Sequence, residues 1–580
     1  MTALIRTLDN TTPYKIGEKG HIEYGWSAQI REQILQFSFQ VTRTDEAGIT
    51  KLQSILKNML KTLKNKNELS TITDEESNYY LSILYRIIGH TRDIVDGKGE
   101  YTLAYMMIYT WYEFYQELSL FALTCLVDVG DNVHQYGSWK DIKYFCEYCR
   151  AHGATEDHPL IHHAIMLANK QLRKDYENNE ITEGYKISLV SKWIPRESSS
   201  FQWLFHLMAV HFFPEYMETA KTDHSKRNAA LKCKTHYRKI LSCLNRKIDT
   251  LQIKQCNKDW IDIDFNTVTS ISLAKQKKAF LNDNRQGNKN NLDRIGCSDN
   301  FKSYIDKATR GELTIKGKRV GLDDFTKQAI ELLRPKMTTE TKYQIDLLNA
   351  QWTNNSTQTG ELGNFIAMVD VSGSMDGSPM NAAIALGIRV AEKSKLGKRI
   401  MSFSATPSWV NLEQEDDFVS MVDKVCKCPW GLNTNFYAAL TLILDAIIDS
   451  KLPPEEVENM VLAIFSDMQI DQADTTSDKE TLYDTIKEKY AVAGMRLYGK
   501  PFKPPHILLW NLRSTDGFPS LSTQTNVSMM SGFSPVLLNV FCEQGIHAFH
   551  SCTPWSILIK TLENERYKIM GDKIMGDKIQ

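Results

Sequence analysis

The sequence predicts two domains of different class, an all-α domain followed by an α/β domain with a doubly wound, Rossmann-like sheet. Three observations predict this. From about Ser27 to Arg334 apolar residues recur at steps of three and four, the period of a helix, and strand-like alternation is rare. From about Gly363 onward single apolar strands alternate with helical stretches, the pattern of a mostly parallel sheet covered on both faces. Between them, residues 335–362 are rich in Thr, Asn, Ser and Gln and read as a linker. With 580 residues, 42% of them hydrophobic, the chain can fill more than one core, since single cores stop growing near ~250–300 residues.

Taken in order, residues 1–26 are polar and glycine-containing and read as an arm. Residues 27–334 then carry helical sets such as Leu52, Ile55, Leu56, Met59 and Leu60, or Tyr80, Ile83, Leu84, Ile87 and Ile88. Short breaks at Asp96-Gly97-Lys98-Gly99 and Tyr136-Gly137-Ser138 separate them, and many mid-length helices without a heptad suggest a HEAT-like stack of helix pairs. Gly97-Lys98-Gly99 lacks the spacing and the Lys-Ser/Thr end of a phosphate-binding Walker loop and reads as a tight helix-helix turn. The aromatic stretch Tyr101 to Tyr115 carries no positive charge and reads as packing. The α/β domain spans 363–560, with strands expected at Phe365 to Val371, Arg399 to Ser404, Met460 to Ser466, His506 to Asn511 and Val527 to Met530. Residues 561–580 contain Lys568-Ile569-Met570-Gly571-Asp572 repeated in tandem, which reads as a flexible tail.

The chemistry concentrates where the first of these strands ends. Asp370, Ser372 and Ser374 place three oxygen-bearing side chains at alternate positions, and a hard divalent ion wants six oxygens in near-octahedral geometry. This loop supplies only part of such a set. Thr434, in the loop Gly431 to Asn435, and Asp467, closing the strand that ends in Ser466, supply the rest. Ligands of doubly wound sheets bind at the carboxyl ends of the strands, where Asp370 and Asp467 both stand. A phosphotransferase nucleophile would call for a second carboxylate at position 372, where a serine stands. A helix-capping turn explains Ser372 and Ser374 alone but not the three separated pieces. The expected cofactor is Mg²⁺, or Mn²⁺ or Ca²⁺ in its place.

Composition excludes several classes. Lysine plus arginine at 69 against aspartate plus glutamate at 70 gives a formal net charge of −1, so any nucleic-acid surface must be local. Residues 221–258 hold eleven basic against two acidic residues, and residues 275–319 hold twelve against five. With the rings of His236, Tyr237, Trp260 and Phe280 among them, these runs match the mixture of cations and stacking platforms that single-stranded RNA uses. Lys234, Arg238, Lys239, Arg246, Lys247, Lys275, Lys277 and Lys278 are the candidates, although basic residues at helical spacing also describe an ordinary solvated face. Eleven scattered cysteines, with one CxxC (Cys146, Cys149) and one CxC (Cys426, Cys428), read as buried free thiols rather than a four-ligand zinc site. The longest apolar run, Leu118 to Val127, is too short to span a bilayer, and the first residues lack a secretory apolar core. The expectation is a cytoplasmic protein without a membrane segment.

The pattern Asp370-x-Ser372-x-Ser374, then Thr434, then Asp467 resembles the metal-ion-dependent adhesion site of von Willebrand A domains. Arg92-Asp93 with Asp96 to Glu100, Tyr136 to Asp141, Lys192-Trp193-Ile194-Pro195, Tyr237 to Leu241 and Trp260 to Phe265 occur in the order seen in TROVE-like helical domains. The arrangement of a TROVE-like domain before an A domain resembles the Ro ribonucleoprotein autoantigen and, more nearly, a eukaryotic and giant-virus family built on domains of unknown function. The resemblance implies that Ser372 and Ser374 hold the ion directly, Thr434 directly or through water, and Asp370 and Asp467 largely by orienting those hydroxyls. It further implies an acidic protein partner whose carboxylate completes the ion's shell, and RNA on the helical domain. Nothing in the sequence resembles a nucleophile with its base, so no enzymatic activity is expected. Two readings stay open: a non-enzymatic RNA-binding ribonucleoprotein component, and a metal-dependent protein-interaction scaffold that binds no RNA.

Overall fold

The computed structural model describes residues 12–18, 20–65, 73–130, 133–181, 184–283, 291–334, 337–403, 406–428, 436–469, 482–542 and 550–576. A small antiparallel hairpin, β1 (Tyr14–Ile16) and β2 (Ile22–Tyr24), opens the chain. Helices then follow one another from Ile30–Gln40 to Thr339–Ser356. The second half forms a six-stranded sheet of β3 (Asn364–Asp370), β4 (Arg399–Phe403), β5 (Ser408–Asn411), β6 (Met460–Ser466), β7 (His506–Asn511) and β8 (Val527–Ser531). The spatial order is β5-β4-β3-β6-β7-β8, with every pairing parallel except the β4–β5 edge. The order therefore reverses direction between β3 and β6, the switch point at which doubly wound sheets open a crevice.

Alternation along each strand divides the core into two layers. Ile366, Met368, Leu462, Ile464, Ile507, Leu509 and Val527 face a core continuous with the amino-terminal helices as far as Leu244. Phe365, Ala367, Val369, Val461, Ala463, Leu508 and Trp510 face the opposite layer, with residues of helices Leu322–Leu333, Ser378–Lys393 and Phe418–Cys426. A third, smaller core lies around Phe265, Phe280 and Phe301. One face of the sheet is thus covered in part by the helical half, so the two halves share a core rather than meeting through a flexible joint.

The linker expected at 335–362 is corrected by this packing. Helix Thr339–Ser356 occupies most of it. Trp352 stacks on Phe418 with ring centroids 3.9 Å apart, its indole N–H donates to Glu392 at 2.8 Å, and the buried Arg389 lies over its ring. Part of the polar set that suggested a linker is itself buried: Gln351 donates to Ser270 O and Lys316 O at 3.0 and 2.9 Å, and Asn355 accepts from Arg389 at 3.0 Å. The flexible tail expected at 561–580 is corrected too: helix Glu565–Gly576 buries Tyr567, Met570 and Ile574 against helix Asp74–Arg92. Those three residues recur at steps of three and four, one face of a helix. Gly89 and Gly571 permit the close approach, since a Cβ on the first would meet Met570 Sδ at 2.7 Å and one on the second the Arg86 guanidinium. Arg566 clamps Asp93 with two bonds of 2.7 and 2.6 Å. The repeats of a solenoid touch only their sequence neighbours; this docking joins one of the earliest helices to one more than 470 residues further along, so the helical half is not a one-dimensional stack.

Polar motifs of the helical half are fastenings. Arg92 forms a bidentate pair with the buried Asp141 at 2.6 and 2.8 Å, and Tyr105 donates to the same carboxylate at 2.6 Å. Lys98, from the turn before helix Tyr101–Tyr112, is 6% exposed. Its ammonium donates to Ser38 O, Val41 O and Ser531 Oγ at 2.8, 2.8 and 2.7 Å. It thereby ties carbonyls at the end of helix Ile30–Gln40 to the end of β8. Burial pushes this ammonium down to about 7, while three oxygen acceptors favour its charged form. Among the described residues no helix is long and apolar enough to cross a membrane.

Candidate functional site

The carboxyl ends of β3 and β6 bring four of the expected groups into one crevice. β3 runs apolar into Asp370 and turns at once through a short 3₁₀ segment, Gly373–Met375. The Asp370 carboxylate accepts from Ser372 N–H at 2.9 Å and from Ser466 Oγ at 2.6 Å. Ser372 Oγ stands 3.1 Å from Ser374 Oγ. β6 ends in Ser466 and passes through Met468, whose φ of +62° turns the chain sharply. Asp467 accepts from Gln469 N–H at 3.1 Å. Asp370, Ser372, Ser466 and Asp467 are all 0% exposed. Burial, then the nearby Asp467 charge, push the Asp370 carboxyl up to about 6. Thr434 lies outside the described residues.

Three further residues at this edge escape sequence reasoning. Arg513, two residues past the end of β7, donates to Ser374 O at 3.2 Å and lies 3.4 Å from an Asp467 carboxylate oxygen. Its other nitrogen holds Glu18 at 3.1 Å. Glu18, next to the tip of the β1–β2 hairpin, also donates its backbone N–H to Gln469 Oε1 at 2.9 Å. Arg513 was within reach of the rule that found the aspartates, applied to a third strand end. Glu18 lies some 450 residues away in sequence from Gln469, and no local pattern announces it.

The donor set is chemically uniform. Carboxylates and hydroxyls are hard oxygens, the class that Mg²⁺, Mn²⁺ and Ca²⁺ take, and they meet at the ends of β3 and β6 with one guanidinium to offset two carboxylates. The residues present therefore fit a divalent cation, with Ser374 half-buried and Ser372, Asp370 and Asp467 fully buried beside it.

The basic candidates are dispersed over the helical half. Helix Asp223–Ile248 exposes Arg238, Lys239, Arg246 and Lys247. Arg238 and Lys234 reach Glu197 at 3.0 and 3.6 Å, so both are partly neutralised. On helix Ser270–Phe280, Lys275 and Lys278 are exposed. Lys277 is corrected as a surface contact: it is buried, donates to Gln328 at 2.6 Å, and burial pushes it down to about 8. Tyr237 and Phe280, two of the rings expected for stacking, are 0% exposed and pack in cores.

Fold and site together define a class: a helical body fused through a shared core to a doubly wound α/β sheet whose carboxylates meet at the switch point. Two family descriptions cover most of it. Domain of unknown function (DUF2828) matches residues 147–364 and domain of unknown function (DUF7788) matches residues 364–568. An uncharacterized protein of Acanthamoeba polyphaga mimivirus is 30% identical over 509 residues, covering 84% of this chain and 80% of the viral one. The chain belongs to the family of that giant-virus protein.

Proposed function

We propose that the protein is a non-enzymatic adaptor whose α/β half, of von Willebrand A type, docks an acidic protein partner through a divalent cation. The reading is carried by one observation: Asp370, Ser372, Ser374 and Asp467, from two separate strand ends, meet as hard-oxygen donors at the switch point of the sheet. Ser372 and Ser374 would hold the ion, Asp370 and Asp467 would orient and charge-balance that shell, and Thr434 belongs to the same set by its place in the sequence motif. The ion, when bound, supplies an electrophilic position for a partner's carboxylate. Arg513, held by Glu18 and close to Asp467, fixes a positive charge beside Ser374 that offsets the carboxylates of the site. The test is retention of an aspartate-bearing peptide on the immobilised full chain. Retention in Mg²⁺, lost in EDTA and in Ser372→Ala with Ser374→Ala, supports the reading; retention indifferent to both ends it.

A specific observation favours RNA as a second ligand, which would make the adaptor a ribonucleoprotein component of TROVE-like type. Arg238, Lys239, Arg246 and Lys247 lie exposed on the last three turns of one long helix, a spacing that can follow a phosphate backbone. Filter binding of single-stranded and hairpin RNA at ~50 mM salt, where electrostatic binding is exaggerated, checks it. No saturable retention there leaves the scaffold without RNA.

A further inference from the structure

A cleft of about 730 Å³ opens among the helices of the amino-terminal half, apart from the sheet edge. Its size falls in the range of small-molecule sites, ~300–1,000 Å³. Its wall includes Lys143, Lys192, Trp193, Arg196, Arg238 and Gln252, so it absorbs the Lys192-Trp193-Ile194-Pro195 motif that the sheet-edge chemistry leaves unused. Four of these six are cations, and Glu197, the acid of the same wall, is already engaged by Arg238 at 3.0 Å and Lys234 at 3.6 Å. Among the described residues no carboxylate forms an ion pair with Lys143, Lys192 or Arg196. Burial lowers both lysines from their ordinary values, and Lys140 lowers Lys143 further; the wall is short of negative charge.

The remaining chemistry narrows the ligand. Lys143 lies 5.1 Å from the centre of the Trp193 ring and Lys192 lies 5.7 Å from it, so the cations are gathered around an aromatic platform. Gln252 Oε1 is buried without a donor, a cost that a ligand N–H would remove. An anion, a flat ring and an N–H donor on one small molecule describe a phosphorylated base. We propose that this cleft binds a nucleoside phosphate, its phosphate among Lys143, Lys192 and Arg196 and its base against Trp193 and Gln252. The proposal rests on neither the cation reading of the sheet edge nor RNA binding by the exposed basic helix, of whose cations Arg238 alone also lines this cleft. A free nucleotide and the phosphorylated end of a single strand present the same chemistry.

Equilibrium dialysis of the full chain tests it, with adenosine 5′-monophosphate, adenosine, inorganic phosphate, and adenosine hexanucleotides with and without a 5′-phosphate as probes. The monophosphate is expected to bind saturably and at least about tenfold more tightly than adenosine or phosphate alone, a difference of ~1.4 kcal/mol. Lys143→Met with Lys192→Met, and separately the exposed Arg196→Glu, should each weaken it about tenfold or more. Trp193→Leu should weaken the monophosphate but not inorganic phosphate. A phosphorylated hexamer that outcompetes the monophosphate identifies a strand end as the source; failure to compete identifies the free nucleotide. Absence of saturable monophosphate binding overturns the proposal. So does binding undiminished in Arg196→Glu, a solvent-facing change that leaves packing intact even where the double lysine variant misfolds.

Discussion

The sheet edge and the basic helix hold charge in opposite ways. At the sheet edge Asp370, Ser372, Ser466 and Asp467 are wholly buried and fixed by hydrogen bonds of 2.6 to 3.1 Å. On helix Asp223–Ile248 the side chains of Lys239, Arg246 and Lys247 stand in solvent. A dry, preorganised cluster makes few interactions of large individual effect, poorly screened by salt; a solvated row makes many small ones that salt erodes. Substitutions at the two places should therefore differ in size and in salt dependence, whatever the ligands prove to be.

The largest effect is expected at Asp370. Asp370→Asn, which keeps volume and one acceptor, should lower Mn²⁺ affinity by ~10–100-fold in calorimetry, with little change between low and moderate salt; undiminished affinity would place any ion elsewhere. Asp370→Ala is a poorer probe, because it strands Ser466 Oγ and Ser372 N–H in a buried crevice. Next comes Lys98→Met, which sharpens the comparison by removing a buried charge that binds nothing external. Without its bonds to Ser38 O and Val41 O the chain should be ~2–4 kcal/mol less stable in urea unfolding, and a difference below ~0.5 kcal/mol would contradict its role in fastening the two halves.

A smaller effect concerns pH. Asp370 titrates near 6 in the folded, ion-free chain against an ordinary 3.8, so between those values the folded state holds the extra proton. Stability of the ion-free chain should accordingly fall as pH rises from about 4 to about 7, by up to ~3 kcal/mol from this group, and Asp370→Asn should flatten that component. Divalent affinity should weaken below pH 6, as protons compete. Charge reversal at Arg238, Lys239, Arg246 and Lys247 is expected to have the smallest effect per residue. Any RNA affinity should drop alike for all sequences, and the slope of log affinity against log salt should flatten by ~0.7 for each phosphate no longer neutralised. Lys277→Gln should change RNA binding hardly at all.

Much of the sheet was legible because its strands are short apolar runs that end in chemistry: five of the six observed strands lie within a residue or two of their expected limits, and the missed one, Ser408–Asn411, is the half-exposed antiparallel edge. Asp370 and Asp467 were legible because a strand end is a local pattern. What stayed hidden depended on packing between segments distant in sequence. Helix Thr339–Ser356 reads as a linker because its apolar anchors, Leu347, Leu348 and Trp352, are few, and because Gln344, Gln351 and Asn355, polar in sequence, are buried in the structure. Glycine at 571 and 576 suggested a broken tail, yet Gly571 is small where Arg86 crosses. The basic runs could be counted, but only side-chain placement separates Lys277, turned inward, from Lys275 and Lys278 beside it.

The docking of helix Glu565–Gly576 on helix Asp74–Arg92 also sets an order of events during synthesis. At ~5–20 residues per second, a ribosome needs roughly half a minute to a minute and a half to travel from Arg92 to Tyr567. Throughout that interval the surface destined for Tyr567, Met570 and Ile574 stays bare and Asp93 lacks its clamp. The amino-terminal helices of a nascent chain thus wait, incompletely covered, for this late helix to emerge, and holding chaperones have their longest opportunity near the beginning of the protein.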